Sequence, residues 1–447
     1  MSYAQHYAQH IERLLTLYTD ALLATGNFEA VLIHSGSARY HYADDQTPPF
    51  RAYGHFSHWL PAGRPEQVLL ILPGQTPVYF QVVPKDFWYE QTAHLDDWVS
   101  AQWQVQPLER SAAIAEALQG IPGVEIPPLA RIAFLGENTH FATAMGLPPE
   151  CHNPSALLQW LDFQRAVKSD YEVACIRAAN RLGLEGHTAA RRAFEAGGSE
   201  YDIHMAYLQA CQILDEETPY TNIVALDEKA SILHYQNKRR HSGADSQVLL
   251  IDAGCKVNGY CSDITRTFTR PHTAPLFGDL VDAMEALQYS LIHKVRPGIP
   301  YPDIHVACHV GITNILLQSG ICRGSVDALL EHKVSTLFMP HGVGHLLGIQ
   351  VHDVGGRMKN ARGETQAPPP EYPSLRTTRS TAIGQVFTIE PGLYFIPVLL
   401  DPEREGPRAK FIDWDLVDAL TPLGGIRIED NVLVTAGGVE NLTRVSI

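Results

Sequence analysis

The chain has 447 residues, 45% hydrophobic and 19% charged, so it is long enough for two hydrophobic cores and too apolar for extended disorder. A formal net charge of -15 repels phosphate backbones and anionic membranes and argues against nucleic acid or a membrane surface as partner. Seven scattered cysteines without a CxxC pair, and an amino-terminal stretch without a signal-peptide core, predict a soluble protein of the reducing cytoplasm. No apolar run approaches the roughly 20 residues that span a bilayer.

Ile11, Leu14, Leu15, Tyr18, Ala21 and Leu22 recur with helical period and predict an amphipathic first helix, ended by Gly26-Asn27. Apolar runs bounded by turn residues at 30–33, 68–72, 78–83 and 131–135 predict strands, with a helix over 108–118 among them. This α/β pattern is assigned to a first domain, residues 1–160, in which no catalytic motif stands out. Asn153-Pro154-Ser155 is a helix start, and Ser169-Asp170-Tyr171-Glu172 is a capping-box pattern opening a long helix that ends near Gly197-Gly198. The junction falls here, and a second domain is assigned to 165–447. From about Thr221 β-branched runs alternate with amphipathic helices near 277–295 and 301–318.

The second domain holds the chemistry. Residues 247–254, ending in Asp252-Ala-Gly, read as a buried strand, and 260–268 as its partner across Asn258-Gly259, a strong hairpin signal. That turn pairs Val257 with Tyr260, Asp252 with Thr265 and Gly254 with Asp263. Asp252 and Asp263 then share one face at a diagonal separation of roughly 7–8 Å, with Gly254 leaving space between them. Two carboxylates on a buried strand pair repel unless protonated or bridged by cations. A surface hairpin with two solvated acids fits poorly with Leu249, Leu250 and Ile251 alongside.

Further on, His341, His345 and His352 fall within twelve residues, interrupted by glycines and with no glutamate between them, which excludes a zincin HExxH helix. Glycines beside histidines suit a backbone that approaches a site closely. Glu390 follows the strand-like Val386-Phe-Thr-Ile and precedes Pro391-Gly392, in extended backbone where a strand breaks into a turn. Arg427 and Glu429 project from one face of a strand whose other face carries Ile426 and Ile428.

In order, spacing and flanking motifs, Asp252, Asp263, His345, Glu390 and Glu429 resemble the five metal ligands of the pita-bread metallopeptidases. That family includes Xaa-Pro dipeptidases, Xaa-Pro aminopeptidases, methionine aminopeptidases and creatinases. Over almost the whole chain the resemblance is to the bacterial Xaa-Pro dipeptidase (prolidase) branch and its relative organophosphorus acid anhydrolase. It implies mixed α/β and α+β content: a small amino-terminal α/β domain, then a pita-bread catalytic domain. It also implies hydrolysis of Xaa-Pro dipeptides by a metal-bridging hydroxide, with organophosphate esters as side substrates, and a homodimer in which Asp45 closes the neighbour's site. Two divalent ions per subunit are implied, and the oxygen-rich ligand set suits Mn²⁺, with Co²⁺ or Zn²⁺ as alternatives. Asp252 would chelate one ion, Asp263 and Glu429 bridge both, and His345 with Glu390 complete the other.

Glu390 would also shuttle a proton to the leaving nitrogen. His234, His341 and His352 would stabilise oxyanion charge and orient the substrate, and Arg376 would clamp its carboxylate. Tyr220 would line the site, and Arg427, grouped with the substrate-binding residues, would chiefly support the metal carboxylates. The competing readings are a Xaa-Pro aminopeptidase acting on longer peptides, and a non-catalytic binding protein on the same fold.

Overall fold

The first helix spans Tyr3–Thr25 in the computed structural model, which describes residues 2–444. Ser2 and Gln5 form a reciprocal capping box at its start, and Gly26 ends it at φ +70°, the left-handed conformation glycine adopts without strain. Of the six apolar positions read from sequence, all but Leu15 are buried. Strands β1 (Ala30–His34), β2 (Val68–Ile71), β3 (Val78–Val82), β4 (Gln104–Leu108) and β5 (Ile132–Leu135) form one mixed sheet in the order β4-β3-β2-β1-β5. The β1–β5 and β3–β4 pairs are parallel and the others antiparallel. The helix expected over 108–118 is corrected. Gln104–Leu108 pairs along β3, a 3₁₀ turn follows at Ser111–Ala113, and only Ile114–Gln119 is α-helical. Ile114 and Leu118 alone carry the helical period into the core.

The polypeptide separates into two units: one runs to Arg165 and adds Ser169–Tyr171 and Asn360–Glu364, and the other holds the remainder. In the second, the long helix covers Asp170–Glu195, and Glu200–Cys211, Pro275–Ile292 and Tyr301–Gln318 are the other main helices. Its strands are β6 (Ile223–Leu226), β7 (Val248–Asp252), β8 (Lys256–Val257), β9 (Tyr260–Cys261), β10 (Thr265–Thr269), β11 (Val386–Ile389), β12 (Gly392–Tyr394), β13 (Gly425–Arg427), β14 (Asp430–Thr435) and β15 (Gly438–Asn441). They form antiparallel sheets β10-β7-β6 and β11-β14-β15 and the pairs β8-β9 and β12-β13. Phe277, Leu280, Met284 and Leu291 of one helix and Ile304, Ile312 and Leu316 of the next share a core with Phe387, Ile389 and Val432.

Asn258 and Gly259 both have positive φ, 50° and 87°, as a two-residue type I′ turn requires. Val257 pairs with Tyr260, and Asp252 pairs with Thr265, the register read from sequence. Two single bridges, Thr265 to Glu429 and Leu346 to Phe387, join this hairpin and the histidine loop to the later strands. Among the described residues no helix is long and apolar enough to cross a membrane.

Candidate metal centre

Asp252 ends β7, Asp263 follows β9, Glu390 joins β11 to β12, Glu429 joins β13 to β14, and His345 sits in the loop before β11. Backbone bonds hold these ends together: Glu429 N donates to Thr265 O, Thr388 N to His345 O, and Glu390 N to Val343 O. Gly344 permits that approach, because a Cβ there would stand 2.0 Å from Thr388 O. Atoms of Asp263, His345 and Glu429 converge within 4.8 Å of one another, and all three residues are buried. His345 Nε2 lies 3.4 Å from Asp263 Oδ2 and 3.7 Å from Glu390 Oε1. Asp252 joins on the other side through Tyr220, whose hydroxyl is 2.7 Å from Asp252 Oδ1 and 2.6 Å from Asp263 Oδ1. The expected role of Gly254 is corrected: a Cβ there would meet Ser262 O at 2.1 Å and Pro219 Cγ at 2.9 Å. The glycine makes room for neighbouring protein, not for ions.

The electrostatics show a site short of positive charge. Tyr220 has one proton for two carboxylates, so one of its contacts calls for another proton or a cation. Burial pushes Asp252 up to about 6 despite the Arg427 charge, and Glu390 up to about 7 despite His345. Burial and the neighbouring Asp263 also raise Glu429. At Asp263 burial acts upward, but hydrogen bonding and charge from His345 outweigh it and hold the carboxyl below its usual range. His345 is raised, because its carboxylate partners overcome the opposing effect of burial. Its Nδ1 lies 3.1 Å from Leu346 O and must donate there, which leaves Nε2 aimed at the carboxylates as a ligand nitrogen. Four carboxylates and one imidazole, three of the acids raised by burial, fit a pair of divalent cations.

Around this cluster Arg427 is fully engaged: NH2 donates to Asp252 Oδ2 (2.7 Å), NH1 to Tyr394 Oη (3.0 Å) and Nε to Thr265 Oγ1 (3.1 Å). Thr265 in turn donates to Glu429 Oε2 at 2.7 Å. The guanidinium therefore holds ligands in place. Tyr394 was not singled out from sequence, although strand alternation puts it on the face of Glu390. Its hydroxyl lies 2.9 Å from His341 Nε2, and His341 Nδ1 lies 2.8 Å from Gly342 O. Burial, then the Arg427 charge, push His341 down to about 3, so the neutral ring donates from Nδ1 and accepts from Tyr394. Nδ1 is also 3.8 Å from Glu390 Oε2, so His341 borders the cluster with both nitrogens in use.

His352 sets its ring at 90° to that of His345, 4.4 Å between centroids. Surrounding protein, then the His345 and Arg376 charges, push it down to about 3. His234 acts electrostatically on both His341 and His352. His234, His352 and Arg376 are exposed, and both His234 and Arg376 act electrostatically on His352 beside the buried cluster. Asp45 belongs to the first unit, on an exposed loop where it accepts from Gln46 Nε2 at 3.0 Å.

The profile described as metallopeptidase family M24 matches residues 174–436, and that described as Xaa-Pro dipeptidase, N-terminal domain, matches residues 5–163. The chain is 41% identical over 445 residues to an Xaa-Pro dipeptidase of Pseudoalteromonas atlantica, covering 99% of this chain and 98% of the relative. It is likewise 41% identical over 448 residues to an Xaa-Pro dipeptidase of Aeromonas hydrophila, covering 99% of each. The solved structure of Pseudomonas aeruginosa aminopeptidase PepP is similar at TM-score 0.72 and 25% identity, covering 99% of this chain and 95% of that one. Aminopeptidase P from E. coli with the inhibitor Pro-Leu, at TM-score 0.70 and 24% identity over the same shares, is alike in fold.

Proposed function

The chain belongs to metallopeptidase family M24, and from that membership and the geometry of the ligand cluster we propose that it is a metallo-dipeptidase that hydrolyses Xaa-Pro dipeptides and releases proline. Its fold is the aminopeptidase P-like pita-bread fold behind a separate amino-terminal domain, as the sequence had implied. The observation that carries the reading is the buried Asp263–His345–Glu429 convergence, in a chain that matches Xaa-Pro dipeptidases over nearly its full length. The likeness to Pseudomonas aeruginosa aminopeptidase PepP is weaker, at 25% identity.

In this reading Asp252, Asp263, His345, Glu390 and Glu429 would together hold two divalent ions. Bound there, such ions supply the Lewis acidity that activates water and polarises the scissile carbonyl. Glu390, beside the ion site, is the candidate to carry a proton to the departing proline nitrogen. The neutral His352 and the exposed His234 line the face on which the dipeptide lies, where an imidazole N–H stabilises charge developing on the carbonyl oxygen. His341 keeps Tyr394 and Arg427 in register beside Glu390. Arg376 takes the free carboxylate through its planar fork. An Xaa-Pro bond lacks an N–H, so selectivity falls to a proline-shaped slot and this carboxylate clamp. Mn²⁺ is the proposed metal on the strength of four oxygen donors against one nitrogen. A cytoplasmic location is supported by seven free, buried cysteines, and a homodimer by the family resemblance.

The test is hydrolysis of Gly-Pro and Ala-Pro by metal-stripped protein with Mn²⁺ added back. Dipeptide cleavage should return with the metal, a Xaa-Pro-Xaa tripeptide should resist, and Asp263→Asn should lose more than the about 10–100-fold typical of an outer partner. Tripeptide turnover would move the assignment to an aminopeptidase, and no turnover with any metal would end the catalytic reading.

A further inference from the structure

Asp263 stands at a point where the hairpin leaves its backbone unserved. The bonds from Ala253 N to Ile264 O and from Ser262 N to Cys255 O fall on either side, so the N–H and C=O of Asp263 face away from the partner strand. Both are taken by one buried side chain, Asn431 of β14. Its Oδ1 accepts from Asp263 N at 3.1 Å, and its Nδ2 donates to Asp263 O at 2.5 Å. An amide carries a donor and an acceptor on one planar fork, so Asn431 does for Asp263 what a third strand would do.

Asn431 is itself fixed by the turn after β15. Its N–H donates to Thr443 Oγ1 at 2.8 Å, its carbonyl accepts from Leu442 N at 2.8 Å, and Thr443 Oγ1 donates to Asn180 Oδ1 at 2.7 Å. The adjacent Asp430 carboxylate accepts from Asn441 Nδ2 and Arg444 Nε, both at 2.8 Å, and from Arg266 NH2 at 2.7 Å. Arg266 NH1 then donates to the carbonyl of Glu429 at 2.7 Å. Residues 441–444 thus hold Asp430-Asn431, and Asp430-Asn431 hold the backbone of two of the five ligands.

We propose that Asn431 is a positioning residue for the metal centre, set by Thr443 and the turn 441–444. This rests on the reading of Asp263 as a metal ligand. Mn²⁺ binding to metal-stripped, full-length protein is the readout, by titration calorimetry well below the thermal midpoint, with the midpoint measured separately. Asn431→Ala should weaken Mn²⁺ about 10–100-fold, and Thr443→Val, which removes only a hydroxyl remote from the ions, should weaken it less but measurably. Thr443→Val carries the test if the alanine variant does not fold. Unchanged Mn²⁺ affinity with a lowered midpoint would mean a structural role only and overturn the inference. Failure of the unmodified protein to bind Mn²⁺ would overturn the metal reading together with it.

Discussion

Asp252 and Glu390 are raised for the same reason, burial that the Arg427 and His345 charges only partly offset, and that makes metal binding a competition with protons. With Asp252 near 6 and Glu390 near 7, cations must displace protons below neutrality and meet free carboxylates above it. The apparent affinity for Mn²⁺ should therefore rise from pH 5 to 8 and then level off. Calorimetry in buffers of different ionisation enthalpy should show proton release at pH 6 that fades by pH 8. Affinity independent of pH across that range would contradict the assignment. At this scale the convergence of Asp263, His345 and Glu429 was legible because the candidates stand in distinctive local settings: a hairpin, a glycine-broken histidine loop, a strand beside Arg427. Tyr394 and Asn431 were not legible, since an isolated tyrosine or asparagine in a strand has many duller explanations. Only the fold shows the hydroxyl between His341 and Arg427, or the amide on the backbone of Asp263.

Among the elements, the 248–269 hairpin shows two different uses of glycine. Gly259 is in open space at φ +87°, and Gly254 is pressed against Ser262 O and Pro219. Gly259→Ala should cost about 1 kcal/mol through backbone strain alone and leave Mn²⁺ stoichiometry intact. Gly254→Ala should cost about 1–3 kcal/mol by overpacking and lower metal occupancy, because the strands carrying Asp252 and Asp263 must part. Urea denaturation and metal analysis separate the two, and equal occupancy in both variants would argue against the coupling. The register of this hairpin was readable because a two-residue turn fixes every later pair. The start of the helix expected over 108–118 was misread because Leu108 ends a strand, Gln104–Leu108, that gains its identity from pairing with β3, a contact set by the tertiary fold.

For the molecule as a whole, the cluster links metal, pH and stability. Asp252 and Glu390 have folded-state pKa values above their unfolded ones, so their stabilising contribution is present below about pH 4 and lost as pH rises through 6 to 7; burial raises Glu429 in the same direction. The metal-free cluster is then least favourable at the pH where cations bind best. Added Mn²⁺ should raise the thermal midpoint more at pH 8 than at pH 5, and a hundredfold excess over Kd corresponds to about 2.7 kcal/mol. A midpoint shift that is equal or smaller at pH 8 would count against this linkage. The α/β patterning and the two-part architecture could be read in advance because they rest on local periodicity and on the family resemblance. The way late strands close on the early hairpin could not, since it depends on contacts between residues more than 160 positions apart. That closure has a consequence for biosynthesis. Glu429 leaves the ribosome more than 160 residues after the hairpin bearing Asp252 and Asp263, so that hairpin waits, folded or not, without this partner while the intervening chain is made. A chain released before Glu429 would lack a complete cluster, so peptide-bond cleavage would begin only after the strands that carry Glu429 and Asn431 had been made.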